Sequence, residues 1–513
     1  MSDRFNKHPE DALHPDAEFN DIGNAERFAN FFWGRIAYVP ELGAWRRWTG
    51  KRWIDDDDEA MRNTQVVARS WFDDLARESD STRQKRLLAH AQRSSSVNSL
   101  RAMLEIARTR GLTVPLREWD TDPMLLGTPG GAIDLRTAKA LAPDPKLRIS
   151  KAVAVDFNPA AKAPAWSAFL DRIFAGDLPT IAFLQRAIGY SLTADTREQC
   201  LFINHGGGLN GKSTLIGTFR ALAGEYGRDC AAETLLARRD DGIPNDVARL
   251  AGARFVSAIE TEDGKRLAEA MVKAMTGGDR IVARFLHREF FEFQPQFKVW
   301  LATNHKPAIR GTDNAIWRRI RLIPFAVTIP EAERDKDLLA KLTAELPGLL
   351  AWAVQGCIAW QQDGLQSPEP VRAATASYRE DMDRLGQWII ERCIVDPFAR
   401  VKASAAFADY RKWSDERGEH PMTMTAFGTN VTERGFRKDK AKTVTYLGIG
   451  LCDTRDTCES SSPFSSYAPA REKKPVNGSP SVASTATDLE AEAEHGAIQD
   501  EPPLDYREAS QGH

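Results

Sequence analysis

The chain has 513 residues, which is more than one ordinary hydrophobic core holds, so we expect about three folded units with flanking tails. Its net charge of -3 excludes a uniformly basic nucleic-acid coat, and any contact with DNA has to come from local patches. The six cysteines show neither the spacing of a zinc site nor a disulfide framework, which favours a reducing, cytoplasmic location. We find no secretory signal and no run of about 18 apolar residues, so no membrane partner is expected.

The amino-terminal part predicts a polar tail and a small mixed region. Residues 1–25 are polar and acidic and are predicted to be disordered. Aromatic segments separated by glycine at 31–53 predict short strands or hairpins, and residues 56–110 have helical spacing. A loop and hairpin are predicted over 119–139. Together these elements form a predicted helical and aromatic region over 26–150.

The middle of the chain alternates helical patterns with short apolar runs. Buried strands are predicted at 200–204, 253–260 and 297–304, with helices between them and a helical segment at 331–362. Strands separated by helices are typical of a parallel sheet covered on both faces. The sequence therefore predicts a three-layer α/β domain over 151–375.

The carboxyl-terminal part predicts a compact module and a tail. Residues 385–452 read as a helical and strand unit, and within them 401–450 carry nine Lys or Arg against six Asp or Glu. The tail 455–513 has five basic and eleven acidic residues and is rich in Ser, Pro and Ala. Such a composition buries little apolar surface, so the tail is predicted to be disordered.

A glycine-rich loop predicts phosphate binding. The segment from Gly206 to Ser213 fits the pattern G-x-x-x-x-G-K-[ST], between an apolar strand and a helical segment. Backbone N–H groups of such a loop surround phosphate oxygens, while Lys212 is expected to reach the β- and γ-phosphates and Ser213 to ligate Mg²⁺. The predicted nucleotide-binding residues are Gly206, Gly207, Gly208, Leu209, Asn210, Gly211, Lys212, Ser213 and Thr214.

Acidic residues follow the second predicted strand. Glu260 and Glu262 come at its end, where one carboxylate could hold the Mg²⁺ shell and the other could orient the attacking water. Glu260 is the favoured metal ligand beside Ser213, with Glu262 as the second acid. The residue pattern does not assign the two jobs individually.

The third strand and the segment after it supply further candidates. Asn304 ends the third predicted strand, where its amide could position water beside the γ-phosphate. Arg318, Arg319 and Arg321 alternate with apolar residues, which predicts a strand. Such an arginine could stabilise the transferring phosphate of a neighbouring subunit. The spacing favours Arg319, followed by Arg318.

The order of these motifs resembles superfamily 3 helicases, and more narrowly the phage and plasmid primase-helicase family with its poxvirus relatives. The resemblance rests on GYSLT at 189–193, GGGLNGKST at 206–214, the segment PNDVARLAGARFVSAIETEDG, the segment KAMTGGDR to NHKP, and DNAIWRRIRLIPF. The family implies an AAA+-like motor that uses ATP and Mg²⁺, assembles into a hexameric ring and acts on single-stranded and forked DNA. It also implies a carboxyl-terminal winged-helix-like module.

The resemblance also implies a DNA-contacting hairpin over 281–293. Its candidate residues are Arg284, His287 and Arg288, the last two near the turn. Upstream of the motor we find no acidic metal motifs of a primase, so primer synthesis is not expected from this chain. A separate primase or polymerase would then be a partner.

Two functions remain open from the sequence. The first is an ATP-dependent DNA helicase that serves replication of a phage, prophage or plasmid. The alternative is an origin-binding initiator or switch, in which ATP controls assembly without processive unwinding and 401–450 reads DNA. A phosphoryl-transfer kinase shares the loop, but Asn304 and the arginines disfavour it.

Overall fold

The structure, a computed structural model, describes residues 19–237, 245–260, 265–284, 290–309, 314–418, 420–440 and 443–452. Residues 1–18 and the predicted tail at 455–513 lie outside these ranges. Within them no single helix is long and apolar enough to cross a membrane, although the bent pair Glu331–Ala344 and Leu346–Asp363 meets the length and composition criteria together.

The amino-terminal part folds into helices beside a small antiparallel sheet. Asn20 begins the first helix by accepting a hydrogen bond from the backbone N–H of Gly23 at 2.9 Å. The predicted disorder is therefore wrong for residues 21–25, because this cap orders them and Ala25 is buried. Phe28 and Met103 lie in the core of this part. The elements are α1 (Asp21–Phe32), β1 (Ile36–Val39), β2 (Ala44–Trp48), β3 (Trp53–Asp55), α2 (Asp57–Arg77), α3 (Ser81–Ser94) and α4 (Val97–Ala107).

A second antiparallel sheet contains the hairpin that the sequence predicts at 119–139. Its strands pair in the order β4-β5-β6. Leu126 and Ile133 belong to the same buried cluster as Trp166 and Phe202, so the core is continuous across the predicted boundary at 150. The strands are β4 (Leu125–Thr128), β5 (Gly131–Asp134) and β6 (Lys139–Leu141).

The middle of the chain alternates helices and strands, as its pattern predicts. The strands are almost continuously apolar because helices cover both faces of their sheet. The elements are α5 (Pro164–Ile173), α6 (Leu178–Leu192), β7 (Leu201–His205), α7 (Lys212–Ala223), β8 (Gly227–Asp229), α8 (Asn245–Ala248), β9 (Phe255–Glu260), α9 (Glu269–Gly277), β10 (Ile281–Arg284), β11 (Phe290–Phe293), β12 (Lys298–Thr303), α10 (Asn314–Trp317) and β13 (Ile320–Pro324).

Five of these strands form one parallel sheet in the order β13-β7-β12-β9-β8. The strand β12 is central, buried along its whole length, with Leu301 opposite Ile203 on β7 and Ala258 on β9. The carboxyl ends of the strands therefore meet at one edge, where polar side chains from different strands come together.

Three further helices complete this part: α11 (Leu338–Ala344), α12 (Leu346–Asp363) and α13 (Glu369–Met382). The helices α6 and α12 can approach closely because Gly189 has no side chain. A Cβ at this position would lie 2.1 Å from the backbone N of Cys357. The helix α13 lies along the edge strand β13, where the hydroxyl of Thr375 accepts from the backbone N–H of Leu322 at 3.0 Å.

The carboxyl-terminal elements have a hydrophobic core of their own around Trp388, Tyr410 and Phe427. A three-stranded sheet in the order β15-β17-β16 packs on three helices, and β14 pairs with β18. The elements are α14 (Arg384–Arg392), β14 (Cys393–Ile394), β15 (Arg400–Lys402), α15 (Ala403–Glu416), α16 (Met424–Glu433), β16 (Arg437–Asp439), β17 (Thr445–Leu447) and β18 (Gly450–Leu451).

Candidate nucleotide site and nucleic-acid hairpin

The glycine-rich loop connects the end of β7 to the start of α7. Gly211 has a φ of +86°, and a Cβ there would lie 2.6 Å from Cγ2 of Ile173. A Cβ on Gly206 would lie 2.3 Å from the backbone oxygen of Phe325. Leu209 also has a positive φ, +51°, and its side chain is 60% exposed. The loop path therefore needs glycine at both 206 and 211.

Lys212 is the first residue of α7 and is buried. Its Nζ donates to the backbone oxygen of Gly206 at 2.6 Å, to Oδ1 of Asn210 at 3.0 Å and to Oδ1 of Asn304 at 3.1 Å. Burial lowers the pKa of Lys212 from its ordinary value. The ammonium group is thus held inside the loop by three oxygens, each of which a phosphate oxygen could replace.

The sheet order brings Asn304 beside the loop. Because β12 lies between β7 and β9, Asn304 is located between the loop and the acidic strand. Glu260 is the last residue of β9 and pairs with Thr303 in the strand register. The second predicted acid, Glu262, lies outside the described residues.

Two basic side chains at the same edge were not identified from the sequence. The pKa of His205, the last residue of β7, is lowered by burial and then by the charges of Lys306 and Lys212. Lys306 follows Asn304 by two residues, and its Nζ lies 2.7 Å from Oδ2 of Asp381. The signal available in the sequence was the position of both residues at strand ends. The lowered pKa leaves His205 mostly neutral at neutral pH, so the positive charge that makes this edge suitable for a polyanion comes from Lys306 and Lys212.

Ser213 is exposed on the first turn of α7, followed by the half-buried Thr214. Among the described residues, no group of three or more His, Cys, Asp or Glu could hold a metal ion. Mg²⁺ commonly takes only one or two protein ligands together with water and phosphate oxygens. Ser213 and Glu260 are suited to that kind of site by residue type and by their position at the sheet edge.

The two candidate arginines differ in exposure. The prediction that Arg318 and Arg319 alternate on a strand is wrong, since they lie in the turn between α10 and β13, and Arg321 alone is on the strand. Arg319 is 7% exposed, and its Nε donates to Oγ1 of Thr276 at 3.1 Å. Arg318 is exposed, and its Nη2 donates to Oε1 of Gln199 at 2.9 Å.

The strands β10 and β11 form the antiparallel hairpin expected over 281–293. Arg284 pairs with Phe290 at the end of the described strands, and its guanidinium lies 5.0 Å from the ring centroid. Phe290 is 57% exposed. The other two predicted DNA contacts, His287 and Arg288, lie outside the described residues.

Residues 25–175 match the protein family described as D5 N terminal like. The chain is 28% identical over 274 residues to a protein named as a candidate helicase, 022R of Frog virus 3 (isolate Goorha), and that match covers 49% of this chain and 28% of the relative. It is 27% identical over 211 residues to the candidate helicase L207/L206 of Acanthamoeba polyphaga mimivirus, covering 37% of this chain and 22% of the relative. The matches thus span about a quarter of the length of these relatives.

Among solved structures, the chain is similar to the apo C-terminal region (305–718) of NrS-1. That similarity has 11% sequence identity and a TM-score of 0.45, and it covers 83% of this chain and 99% of the other. The motif order predicted a resemblance to the phage and plasmid primase-helicase family with its poxvirus relatives. The D5 N terminal like region and the viral relatives confirm that resemblance: the chain is similar to phage and viral primase-helicases.

Proposed function

We propose that this protein is an ATP-dependent DNA helicase of the superfamily 3 type that works as a hexameric ring. The observation that carries the proposal is the position of the Lys212 ammonium, 2.6 Å from the Gly206 oxygen and 3.1 Å from Oδ1 of Asn304. The Lys212 ammonium thereby links the glycine loop to the end of β12, the strand that pairs with β9 next to Glu260. Both partners are oxygens, so phosphate oxygens can take their place without leaving a buried charge unpaired.

Each residue of this edge has a separate task in the proposed reaction. Bound ATP with Mg²⁺ supplies the phosphoanhydride bond and the electrophilic phosphorus. Lys212 would turn from the Gly206 oxygen toward the β- and γ-phosphates, and the hydroxyl of Ser213 would ligate the metal. Asn304, released from Lys212, can then hold water by its amide. Glu260 or Glu262 would accept the proton of that water as its oxygen bonds to the γ-phosphorus and the bond from that phosphorus to the ADP oxygen breaks.

The proposed route to DNA runs through the hairpin β10–β11. The next strand in the chain is β12, which ends one residue before Asn304, so the hairpin and Asn304 belong to one continuous segment. Arg284 and the exposed ring of Phe290 combine a cation with an aromatic face, a pair that suits the backbone and bases of single-stranded DNA. His287 and Arg288 remain predicted contacts of the same hairpin.

We further propose that Arg318 is the residue that reaches the nucleotide of a neighbouring subunit. A residue that acts between subunits has to be exposed. Arg318 is exposed and its bond to Gln199 lies at the surface, whereas Arg319 is buried and bonded to Thr276. This reverses the preference that spacing gave to Arg319. Ring assembly follows from the role, because one subunit then completes the site of the next.

The test is ATP hydrolysis with and without single-stranded DNA, beside the unwinding of a forked duplex. The wild type is expected to show turnover that DNA stimulates and to open the fork. The Lys212→Ala variant should lose both activities, because its site lacks the group that contacts the phosphates. If the rate of ATP hydrolysis is the same with and without DNA and the fork is not opened, the result would instead support the origin-binding switch.

A further inference from the structure

The carboxyl-terminal sheet presents a basic outer face. Arg400 and Arg437 are opposite Leu447 on its two sides in the strand register, and Lys402 is next to Thr445. Residues directly opposite in an antiparallel sheet share a face, so the three cations point the same way. The alternate residues Val401 and Tyr446 are buried against the helices.

These cations are available for a partner. Arg400, Lys402 and Arg437 are exposed, and none forms an ion pair with another side chain in the described part of the chain. One acid, Asp439, shares the face and lies opposite Thr445. The balance of three cations to one acid makes the face electropositive even though the whole chain is slightly acidic.

An exposed aromatic side chain precedes the first strand of this sheet in the chain. Phe398 is 88% exposed in the turn that leads into β15, where its backbone N–H donates to Oδ1 of Asp396 at 2.8 Å. That turn is tied to the sheet because the backbone oxygen of Ala399 accepts from Gly448 N–H at 2.9 Å. An exposed phenyl ring does not gain the free energy of removing its apolar surface from water. Its flat face is available to stack on an unpaired base.

The neighbouring helix α16 lacks basic residues. Its exposed residues are Met424, Thr425, Thr429 and Glu433, and no Lys or Arg occurs between 424 and 433. Arg434, which follows the helix, is paired with Asp383. A helix that enters the major groove normally has cations near the phosphates on either side. Of the sheet and α16, the sheet therefore carries the exposed cations that are not paired with another side chain in the described part of the chain.

We infer that the outer face of the β15-β17-β16 sheet, with Arg400, Lys402, Arg437 and Phe398, binds single-stranded DNA. The cations contact the phosphates without sequence preference, and Phe398 stacks on a base at the end of the sheet. This inference rests on the proposed action on DNA but assigns it a second contact surface, separate from the β10–β11 hairpin.

The experiment measures binding of the full chain, without nucleotide, to a fluorescent oligo-dT strand and to a duplex of equal length across a range of salt concentrations. The test variant is Arg400→Glu with Arg437→Glu, and the matched control is Arg411→Glu with Lys412→Glu on α15, which changes the net charge equally. The test variant should bind single strands at least about tenfold more weakly. The slope of the logarithm of its binding constant against the logarithm of the salt concentration should become shallower by about 1.4, since two phosphate contacts contribute roughly 0.7 each.

A second variant, Phe398→Ala, keeps every charge. It should weaken single-strand binding by about tenfold and leave duplex binding unchanged, because paired bases cannot stack on the ring. Equal losses in the test and control variants, or wild-type binding by the test variant, would overturn the inference, as would a preference for the duplex.

The Lys212→Ala variant separates this inference from the proposed function. It should bind single strands normally but hydrolyse no ATP. If the wild type also hydrolyses no ATP while the Arg400 and Arg437 substitutions still abolish binding, the proposed function fails and the sheet surface stands. If Lys212→Ala is inactive but those substitutions leave binding intact, the sheet surface fails and the motor stands.

Discussion

The Nζ of Lys212 lies 3.1 Å from Oδ1 of Asn304, although 92 residues separate them along the chain. The parallel sheet produces this contact, because β7 leads into the loop before Lys212 and β12, paired with β7, ends just before Asn304. A change in the hydrogen bonding of either side chain therefore changes that of the other. In the proposed reaction, a phosphate that takes the place of Asn304 at Lys212 would leave Oδ1 of Asn304 without this donor and able to accept from water.

The Asn304→Ala substitution should lower the rate constant of ATP hydrolysis by about 10² to 10³-fold, in the range found when one positioned polar group is lost. Nucleotide affinity should change little, since in the proposed complex Lys212 contacts the phosphates and no longer depends on Asn304. Single-turnover hydrolysis and equilibrium binding of a labelled nucleotide measure the two quantities. A loss confined to affinity would show that Asn304 serves binding and not the chemical step.

The loop glycines allow a matched pair of substitutions. Gly211→Ala should abolish nucleotide binding, because its φ of +86° disfavours alanine and the new methyl group would lie 2.6 Å from Ile173. Gly207→Ala is the control, since a Cβ there meets nothing within 4 Å and its φ is not positive. Titration with a fluorescent nucleotide should separate the two variants, and equal binding by both would contradict the loop geometry.

A buried histidine predicts how stability depends on pH. His90 is 3% exposed and its Nε2 lies 3.1 Å from Oδ1 of Asn24, while burial and then Arg93 lower its pKa to about 4. Between pH 6.5 and 4 the unfolded chain binds a proton there and the folded chain does not. Folding stability should therefore fall as pH drops through this window, by at most about 3 kcal/mol from this group.

The measurement is the free energy of unfolding from urea titrations at several pH values, on the wild type and on His90→Gln. The variant keeps polar atoms near Asn24 but cannot titrate in this range. Its stability should depend less steeply on pH between 6.5 and 4. The same pH dependence in both proteins would assign the loss to other groups.

Local patterns were sufficient to predict most strands of the central sheet and the neighbourhood of Lys212, Glu260 and Asn304. The reason is that parallel strands with both faces covered are short apolar runs, and their carboxyl ends necessarily meet at one edge. The order of those strands did not follow from local pattern. The location of Asn304 beside the loop depended on knowing which strand lies between the other two.

Buried cations were beyond what the sequence could reveal. Lys298 begins β12, and burial lowers its pKa well below the ordinary value. Its Nζ donates to the backbone oxygens of Thr193 and Asp195, the latter at 3.1 Å. Arg254 similarly donates to the oxygens of Leu192 and Leu125. The end of the GYSLT segment therefore supplies backbone oxygens that accept hydrogen bonds from two basic side chains. Local sequence does not show these contacts, because tertiary packing brings the residues together.

The same limitation explains the arginines. Alternation with apolar residues suggested that Arg318, Arg319 and Arg321 share one strand, whereas a turn precedes β13 and separates their environments. Burial of Arg319 is caused by Thr276 on α9 and by the backbone oxygen of Ala315. Spacing along the chain carries no information about either contact.

The two arginines give the most discriminating prediction. Arg318→Ala should reduce DNA-stimulated ATP turnover by about 10³-fold or more, as expected for an arginine that contacts the transferring phosphate, with little change in stability. Arg319→Ala should instead lower the free energy of unfolding by about 2 kcal/mol, since it leaves buried partners without their donor. Mixing Arg318→Ala with Lys212→Ala should restore part of the activity, because an intact site on one subunit then meets an intact Arg318 on the next. If mixing restores nothing while Arg318→Ala alone is inactive, Arg318 acts within its own subunit.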